Sequence, residues 1–116
     1  MTIAGESDFV VVGEAEDGLE VINQIFDLNP DIVIIDYEMP NLNGLEAAKK
    51  ILKDNPKQKI VMMTVHKDLK IVEKARKIGV KGFLLKDSEE DEIISVLRLI
   101  AKGKTYYSSE VSGTNK

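Results

Sequence analysis

An acid, a hydroxyl and an amine each stand directly after a short apolar run of the sequence. They are Asp36, Thr64 and Lys86. A carboxylate at the end of a strand can act as a nucleophile, a metal ligand or a helix cap. An amine beside a carboxylate suits phosphate chemistry, because it neutralises the charge that gathers on phosphoryl oxygens. The three residue types together are therefore compatible with a phosphate-handling site.

Each of the three also has an ordinary structural interpretation. Asp36 precedes a loop that holds Pro40 and the pair Asn43-Gly44, so it could equally be a capping or loop acid. A threonine at a strand end often bonds the following turn, and Lys86 could be a solvated lysine. The three residues together indicate a functional site more strongly than each does alone, provided that the fold brings their side chains together.

Four apolar runs predict the strands that would position these side chains. The runs cover residues 9–12, 32–35, 60–63 and 83–85. The last three are almost continuous in apolar residues and rich in Ile, Val and Leu. That composition is typical of strands buried on both faces of a parallel sheet.

Helical patterns alternate with these runs. They cover residues 19–28, 45–53, 69–78 and 89–101. In the first, Leu19, Ile22 and Phe26 form the predicted buried stripe, and Asp17 is the predicted N-cap. Ser88 is the predicted N-cap of the last helix, whose first turn is rich in acids, as suits the helix dipole.

The alternation of strand and helix predicts a doubly wound, three-layer α/β domain with a parallel sheet. Binding sites in such folds lie beyond the carboxyl ends of the strands. Asp36, Thr64 and Lys86 each follow a different predicted strand. We therefore expect at least four parallel strands, with these three side chains on one rim of the sheet.

The composition excludes several other classes of protein. The chain has 116 residues, the size of one domain, and a net charge of -4, which disfavours direct binding to nucleic acid. It has no cysteine and one histidine, His66, which excludes thiolate sites and histidine metal clusters. The glycines Gly13 and Gly18 lack the spacing of a nucleotide-binding loop. No apolar run approaches a membrane span of roughly 18 residues, and residues 1–8 lack a secretory pattern, so a cytoplasmic chain without a membrane partner is expected.

Several motifs in order resemble the CheY-like receiver domain of two-component response regulators, and most of all its LuxR-type subfamily. The three that carry the resemblance are DIVIIDYEMPNLNG at 31–44, VMMTVH at 61–66 and GVKGFLLKD at 79–87. The segments VVGEAEDG at 11–18 and AKGKTYYSSE at 101–110 look like the LuxR-type variant. The resemblance covers nearly the whole chain from residue 9 and implies a flavodoxin-like or CheY-like fold.

The resemblance implies a role for each residue of the site. Asp36 would accept a phosphoryl group from the phosphohistidine of a histidine kinase. Thr64 would bond one phosphoryl oxygen and move when it appears, and Lys86 would pair with another. The backbone carbonyl of Glu38 would join Asp36 in holding Mg²⁺. Phe83 would be the aromatic that rotates and reports the change to the last helix and strand.

The sequence departs from the family pattern in two places. Asp87 stands where family members often have proline, so a cis peptide bond is not expected there. By the same resemblance, the given sequence is expected to lack the family's first strand and most of its first helix. Residues 1–8 would be the remnant, 9–107 the receiver and 108–116 a polar tail. The acid pair of the missing strand would complete the metal site, so weak Mg²⁺ binding and slow or absent phosphorylation are expected.

Loss of that strand also bears on assembly. The strands at 9–12 and 32–35 would lose a neighbour, and unpaired strand edges recruit further strands. We expect a homodimer that closes the gap. Direct pairing of the two strands in a compact four-stranded monomer is the competing arrangement.

Three functions from different classes follow. The first is a signalling receiver, not an enzyme, whose Asp36 accepts phosphoryl and switches a surface that controls a partner or an output domain. The alternative is a truncated, phosphorylation-deficient receiver that acts as a dimerising interaction module. The third, a small flavodoxin-like binding protein or hydrolase, has least support, because neither a phosphate loop nor a nucleophile elbow appears.

Overall fold

The computed structural model describes residues 17–38, 43–65 and 68–107. The predicted strand at 9–12, the segments 1–8 and 108–116, and His66 lie outside the described residues. The elements, in chain order, are α1 (Gly18–Leu28), β1 (Ile32–Asp36), α2 (Gly44–Asp54), β2 (Lys59–Thr64), α3 (Leu69–Ile78), β3 (Gly82–Leu85), α4 (Glu90–Ala101) and β4 (Tyr106–Tyr107).

The four described strands form one open parallel sheet in the order β1-β2-β3-β4. Each pair of neighbouring strands in this order is joined through a helix, which is the connection that parallel strands require. The predicted α/β class with at least four parallel strands is confirmed. Three of the strands are those predicted from the apolar runs.

The helices cover both faces of the sheet and make the predicted three layers. The face beneath α1, α2 and α3 buries Val33, Ile35, Ile60, Met62, Phe83 and Leu85. The opposite face, beneath α4, buries Val61, Met63 and Leu84 against Ile93, Val96, Leu97 and Ile100. Burying each large apolar side chain contributes about 1.5–3 kcal/mol, so the central strands are the rigid support for anything at their ends.

The strand β4 was not predicted from the sequence. Tyr106 pairs with Gly82 and Tyr107 with Phe83, and the Tyr106 amide donates to the Lys81 carbonyl at 2.9 Å. Two residues are too few to show the alternation by which a strand is recognised. The pairing is set by where α4 ends and the chain returns to the sheet.

The face that α1 turns toward the core differs from the predicted stripe. Val21 is buried, and Ile22 and Ile25 pack against the core, but Leu19 is 54% exposed and Phe26 is 90% exposed. The predicted stripe of Leu19, Ile22 and Phe26 is therefore wrong in two of its three members. The helix carries two overlapping apolar faces at helical spacing, and packing against α2 and the sheet selects one of them.

Of the two predicted N-caps, that of α1 is confirmed and that of α4 is wrong. Asp17 caps α1, because its Oδ1 accepts from the amide of Glu20 at 2.9 Å. Ser88, the predicted cap of α4, is not the cap. Glu89 occupies that position and makes no side-chain capping bond. The acids of the first turn provide the favourable charge there instead.

Candidate functional site

The carboxyl ends of β1, β2 and β3 carry the candidate site. Asp36 is paired with Met63 in the sheet, and Thr64 is paired with Leu85. The ladder continues past the strands, since the amide of Lys86 donates to the carbonyl of Thr64 at 2.9 Å. Asp36, Thr64 and Lys86 therefore stand on adjoining strand ends, as the sequence predicted.

The centre of the site is an ammonium group between two carboxylates. The Lys86 Nζ lies 2.6 Å from Asp36 Oδ2 and 3.3 Å from Glu38 Oε1. The hydrogen bond to Asp36, aided by the charges of both acids and opposed by burial, raises the pKa of Lys86. The Asp36 side chain is 41% exposed, so an incoming group can reach it.

Glu38 takes part through its side chain, which the sequence reasoning missed. Its Oε2 accepts from the Thr64 hydroxyl at 2.5 Å, and its Oε1 accepts from the Val65 amide at 3.4 Å. Burial opposes ionisation, but the hydrogen bonds from Thr64 and Lys86 lower the pKa of Glu38 overall. The available signal was a second carboxylate two residues after Asp36, in the segment that leaves the strand end.

The backbone beyond β1 holds Asp36 in place. The Asp36 Oδ1 accepts from the amide of Glu38 at 2.9 Å, which leaves Oδ2 for Lys86. The Gly44 amide donates to the Tyr37 carbonyl at 3.0 Å. A Cβ on Gly44 would lie 2.6 Å from the Asp36 carbonyl oxygen and 2.8 Å from the Tyr37 Cα. Glycine is thus required at position 44 because α2 approaches the backbone of Asp36 closely. This requirement adds to that of the tight turn, which the sequence suggested.

Phe83 lies in a second group, on the α1–α3 face of the sheet. It is fully buried and stacks on Tyr107 with ring centroids 6.1 Å apart. The Arg76 guanidinium lies 4.3 Å from the centroid of the Tyr107 ring. Burial raises the pKa of Tyr107 to about 12, and its hydroxyl donates to the Val80 carbonyl. The predicted switch aromatic therefore packs in an ordered aromatic stack.

The oxygen atoms at the rim suit a hard cation in type. Asp36 and Glu38 bring carboxylate oxygens to one place, and Mg²⁺ prefers such ligands. Within the described ranges, no three acidic, histidine or cysteine side chains group as a metal site. Both acids also contact Lys86, whose positive charge offsets part of their negative charge.

Among the residues that the structure describes, no helix combines the length and apolar character needed to cross a membrane.

A family model described as the response regulator receiver domain matches residues 1–98. The chemotaxis protein CheY of Listeria monocytogenes is 38% identical over 100 residues, which are 86% of this chain and 84% of that protein. This chain spans about half the length of several transcriptional regulatory proteins that it also matches.

Solved structures agree with these matches. A LuxR-family response regulator from Aurantimonas is similar with a TM-score of 0.83 and 28% identity, over 89% of this chain and 74% of that one. The isolated receiver domain of RcsB from Salmonella enterica is similar with a TM-score of 0.80 and 27% identity, over 90% of this chain and 78% of that one. A further structure holds two RcsB dimers bound to two parallel DNAs.

Proposed function

The chain belongs to the response regulator receiver domain family, and from that premise we propose that its Asp36 accepts a phosphoryl group from a histidine kinase. Receiver domains are signalling modules of two-component systems. The proposal identifies the side chains of this chain that carry out the phosphoryl transfer. The observation that carries it is the 2.6 Å contact between Lys86 Nζ and Asp36 Oδ2 at an exposed strand end.

The proposed reaction is a phosphoryl transfer between two side chains. An Asp36 carboxylate oxygen attacks the phosphorus of a phosphohistidine, and a P–O bond forms. The P–N bond breaks, and its electron pair returns to the imidazole nitrogen. The product is an acyl phosphate on Asp36. Positioning and charge neutralisation provide most of the rate in such transfers.

The neighbouring residues have distinct roles in this proposal. Lys86 neutralises charge on the phosphoryl oxygens, because its ammonium already lies against Asp36. Thr64 offers its hydroxyl to a second phosphoryl oxygen from a buried position at the end of β2. The amide of Glu38 orients Asp36 by holding its Oδ1. Each group acts from a different strand end, so the sheet sets their separation.

Asp36 and the Glu38 backbone carbonyl are the residues that would hold Mg²⁺. The cation, when bound, neutralises negative charge on the phosphoryl oxygens. We propose that binding by these residues is weak, because Lys86 already compensates the charge of Asp36 and contacts its Oδ2.

The output of the switch is proposed to pass through the stack of Phe83 and Tyr107. Movement of Thr64 would reach Phe83 through the β2–β3 pairing, in which Met62 stands opposite Phe83. Arg76 on α3 covers the outer ring of the stack. A change at Phe83 would therefore alter the surface formed by α3 and β4, which could control a partner or an output domain.

We further propose that residues 9–107 form the receiver unit and that it works as a homodimer. The dimers in an RcsB structure support the second point by analogy. The described chain alone is proposed to make no direct contact with nucleic acid, since its net charge is -4. Neither the rim geometry nor the relatives favour a receiver that has lost phosphorylation and acts only by dimerising.

Acetyl phosphate with Mg²⁺ provides the test, because it transfers phosphoryl without a kinase. Because Mg²⁺ binding is proposed to be weak, intact mass spectrometry should show one slowly accumulating phosphoryl adduct on the wild-type chain, and peptide mapping should place it on Asp36. The Asp36→Asn variant should show none. An adduct that persists in Asp36→Asn, or none on the wild type at saturating Mg²⁺, would overturn the assignment.

A further inference from the structure

Three hydrogen-bond donors at the rim converge on a carboxylate that belongs to the protein itself. The Thr64 hydroxyl lies 2.5 Å from Glu38 Oε2. The Val65 amide and the Lys86 ammonium lie 3.4 Å and 3.3 Å from Glu38 Oε1. A neutral hydroxyl, a backbone amide and a cation together form a donor set for an anion.

We propose that the Glu38 carboxylate is an internal anion that occupies the phosphoryl-binding donors and must leave before Asp36 can be phosphorylated. The inference rests on the proposed function, because it assumes that the phosphoryl group arrives on Asp36. It makes Glu38 a rate-setting residue beside the acceptor, in addition to the backbone role assigned to it above.

The donors that Glu38 occupies are those that an acyl phosphate on Asp36 would need. Lys86 contacts Asp36 and Glu38 at once, so the two carboxylates lie on either side of one ammonium. Phosphoryl oxygens attached to Asp36 would enter the space between Lys86 and Thr64. Two anions in that space repel each other, and one lysine cannot neutralise both.

Glu38 can turn away from its three donors, two of which are held by burial or by the backbone, while the third, Lys86, also contacts Asp36. Its side chain is 28% exposed and has several rotatable bonds, so it can turn to solvent. Thr64 is fully buried, and the Val65 amide belongs to the backbone just beyond β2. Displacement of Glu38 therefore makes these donors available to phosphoryl oxygens. The contacts that Glu38 loses are charge-assisted, and their loss slows the reaction.

The test compares phosphorylation by acetyl phosphate and Mg²⁺ in three variants. Glu38→Ala removes the internal anion and should accelerate adduct formation on Asp36 about tenfold, the size expected for losing charge-assisted contacts. Glu38→Gln keeps an acceptor for Thr64 and protects the fold, and should accelerate the reaction by a smaller factor. Asp87→Asn removes an equal charge from an exposed neighbour of Lys86 and should change the rate less than twofold.

A second readout reports the donors without any phosphodonor. In ¹H–¹⁵N spectra, the Val65 amide resonance should move in Glu38→Ala and Glu38→Gln but not in Asp87→Asn. Equal labelling rates in wild type and both Glu38 variants would overturn the internal-anion proposal while leaving Asp36 as the acceptor. So would equal acceleration in Asp87→Asn. Absence of Asp36 labelling in every variant would instead overturn the proposed function, and the inference with it.

Discussion

The two rims of the sheet place polar groups in opposite ways. At the carboxyl rim, Asp36, Glu38 and Lys86 are charged and each is between a quarter and a half exposed. At the amino rim, the neutral amide of Gln58 is only 4% exposed. Its Nε2 lies 3.2 Å from the Pro30 carbonyl and 3.3 Å from the Asp31 carbonyl.

The difference distinguishes a rim with exposed charges from one held by neutral, buried hydrogen bonds. Gln58 ties the chain before β1 to the start of β2, because its buried amide donates to backbone carbonyls of the preceding segment. The charges at the carboxyl rim balance one another and remain reachable. An added anion or cation there alters every contact, which is the property that a phosphorylation switch requires.

Two lysines, one at each rim, give the largest expected contrast. Lys86→Ala should slow Asp36 labelling by acetyl phosphate about a hundredfold, because it removes the cation that faces the transferred group. Lys59→Ala should leave the rate unchanged, since the Lys59 Nζ donates to the Ala101 carbonyl at 2.9 Å on the other rim. The measurement is the initial rate of adduct formation by mass spectrometry. Equal losses in both variants would show that the rims do not differ in function.

Gly44→Ala should damage stability and the carboxyl rim together. The new Cβ meets backbone atoms of Asp36 and Tyr37 that cannot move independently of β1, so a loss of about 1–3 kcal/mol in the free energy of unfolding is expected. Urea unfolding gives the stability, and the labelling rate gives the effect on Asp36. For comparison, Gly103→Ala has no atoms within 4 Å of the new Cβ but a φ of 87°. It should lower stability through backbone strain and leave labelling intact.

Gln58→Ala should cost stability without affecting labelling. The carbonyls of Pro30 and Asp31 would lose their buried donor, which is expected to lower the free energy of unfolding by about 1–3 kcal/mol. Lys57→Ala, an exposed neighbour, should fall within about 0.5 kcal/mol of wild type. A labelling defect in Gln58→Ala at temperatures where it is folded would contradict a purely structural amino rim.

The smallest effect concerns Tyr107, a third polar group, which is half-buried at the edge of the sheet. Burial raises its pKa to about 12, so the folded state favours the neutral phenol. This contribution to stability is fully present below the ordinary tyrosine pKa of about 10 and is lost as the pH rises toward 12. Spectrophotometric titration should show a tyrosine that ionises with a pKa of about 12. That step should vanish in Tyr107→Phe, and its persistence would assign it to another tyrosine.

The sequence predicted the elements whose signal is continuous and local. The apolar runs of β1, β2 and β3 and the pattern of α3 were sufficient, because each segment repeats its period over several residues. The strand β4 has two residues and was missed. In α1, the apolar pattern was consistent with more than one buried face, and the exposure of Phe26 depends on contacts with α2 that no local pattern encodes.

For the site, the sequence by itself determined which residue types stand at the strand ends. Parallel strands share one carboxyl rim, so the convergence of Asp36, Thr64 and Lys86 followed from the alternation of strands and helices alone. Only the tertiary structure decided that the Glu38 side chain, and not solvent, receives the Thr64 hydroxyl, and that Gly44 has no space for a Cβ. Those facts depend on ångström-scale distances between separate segments, which arise from packing and leave no periodic trace in the chain.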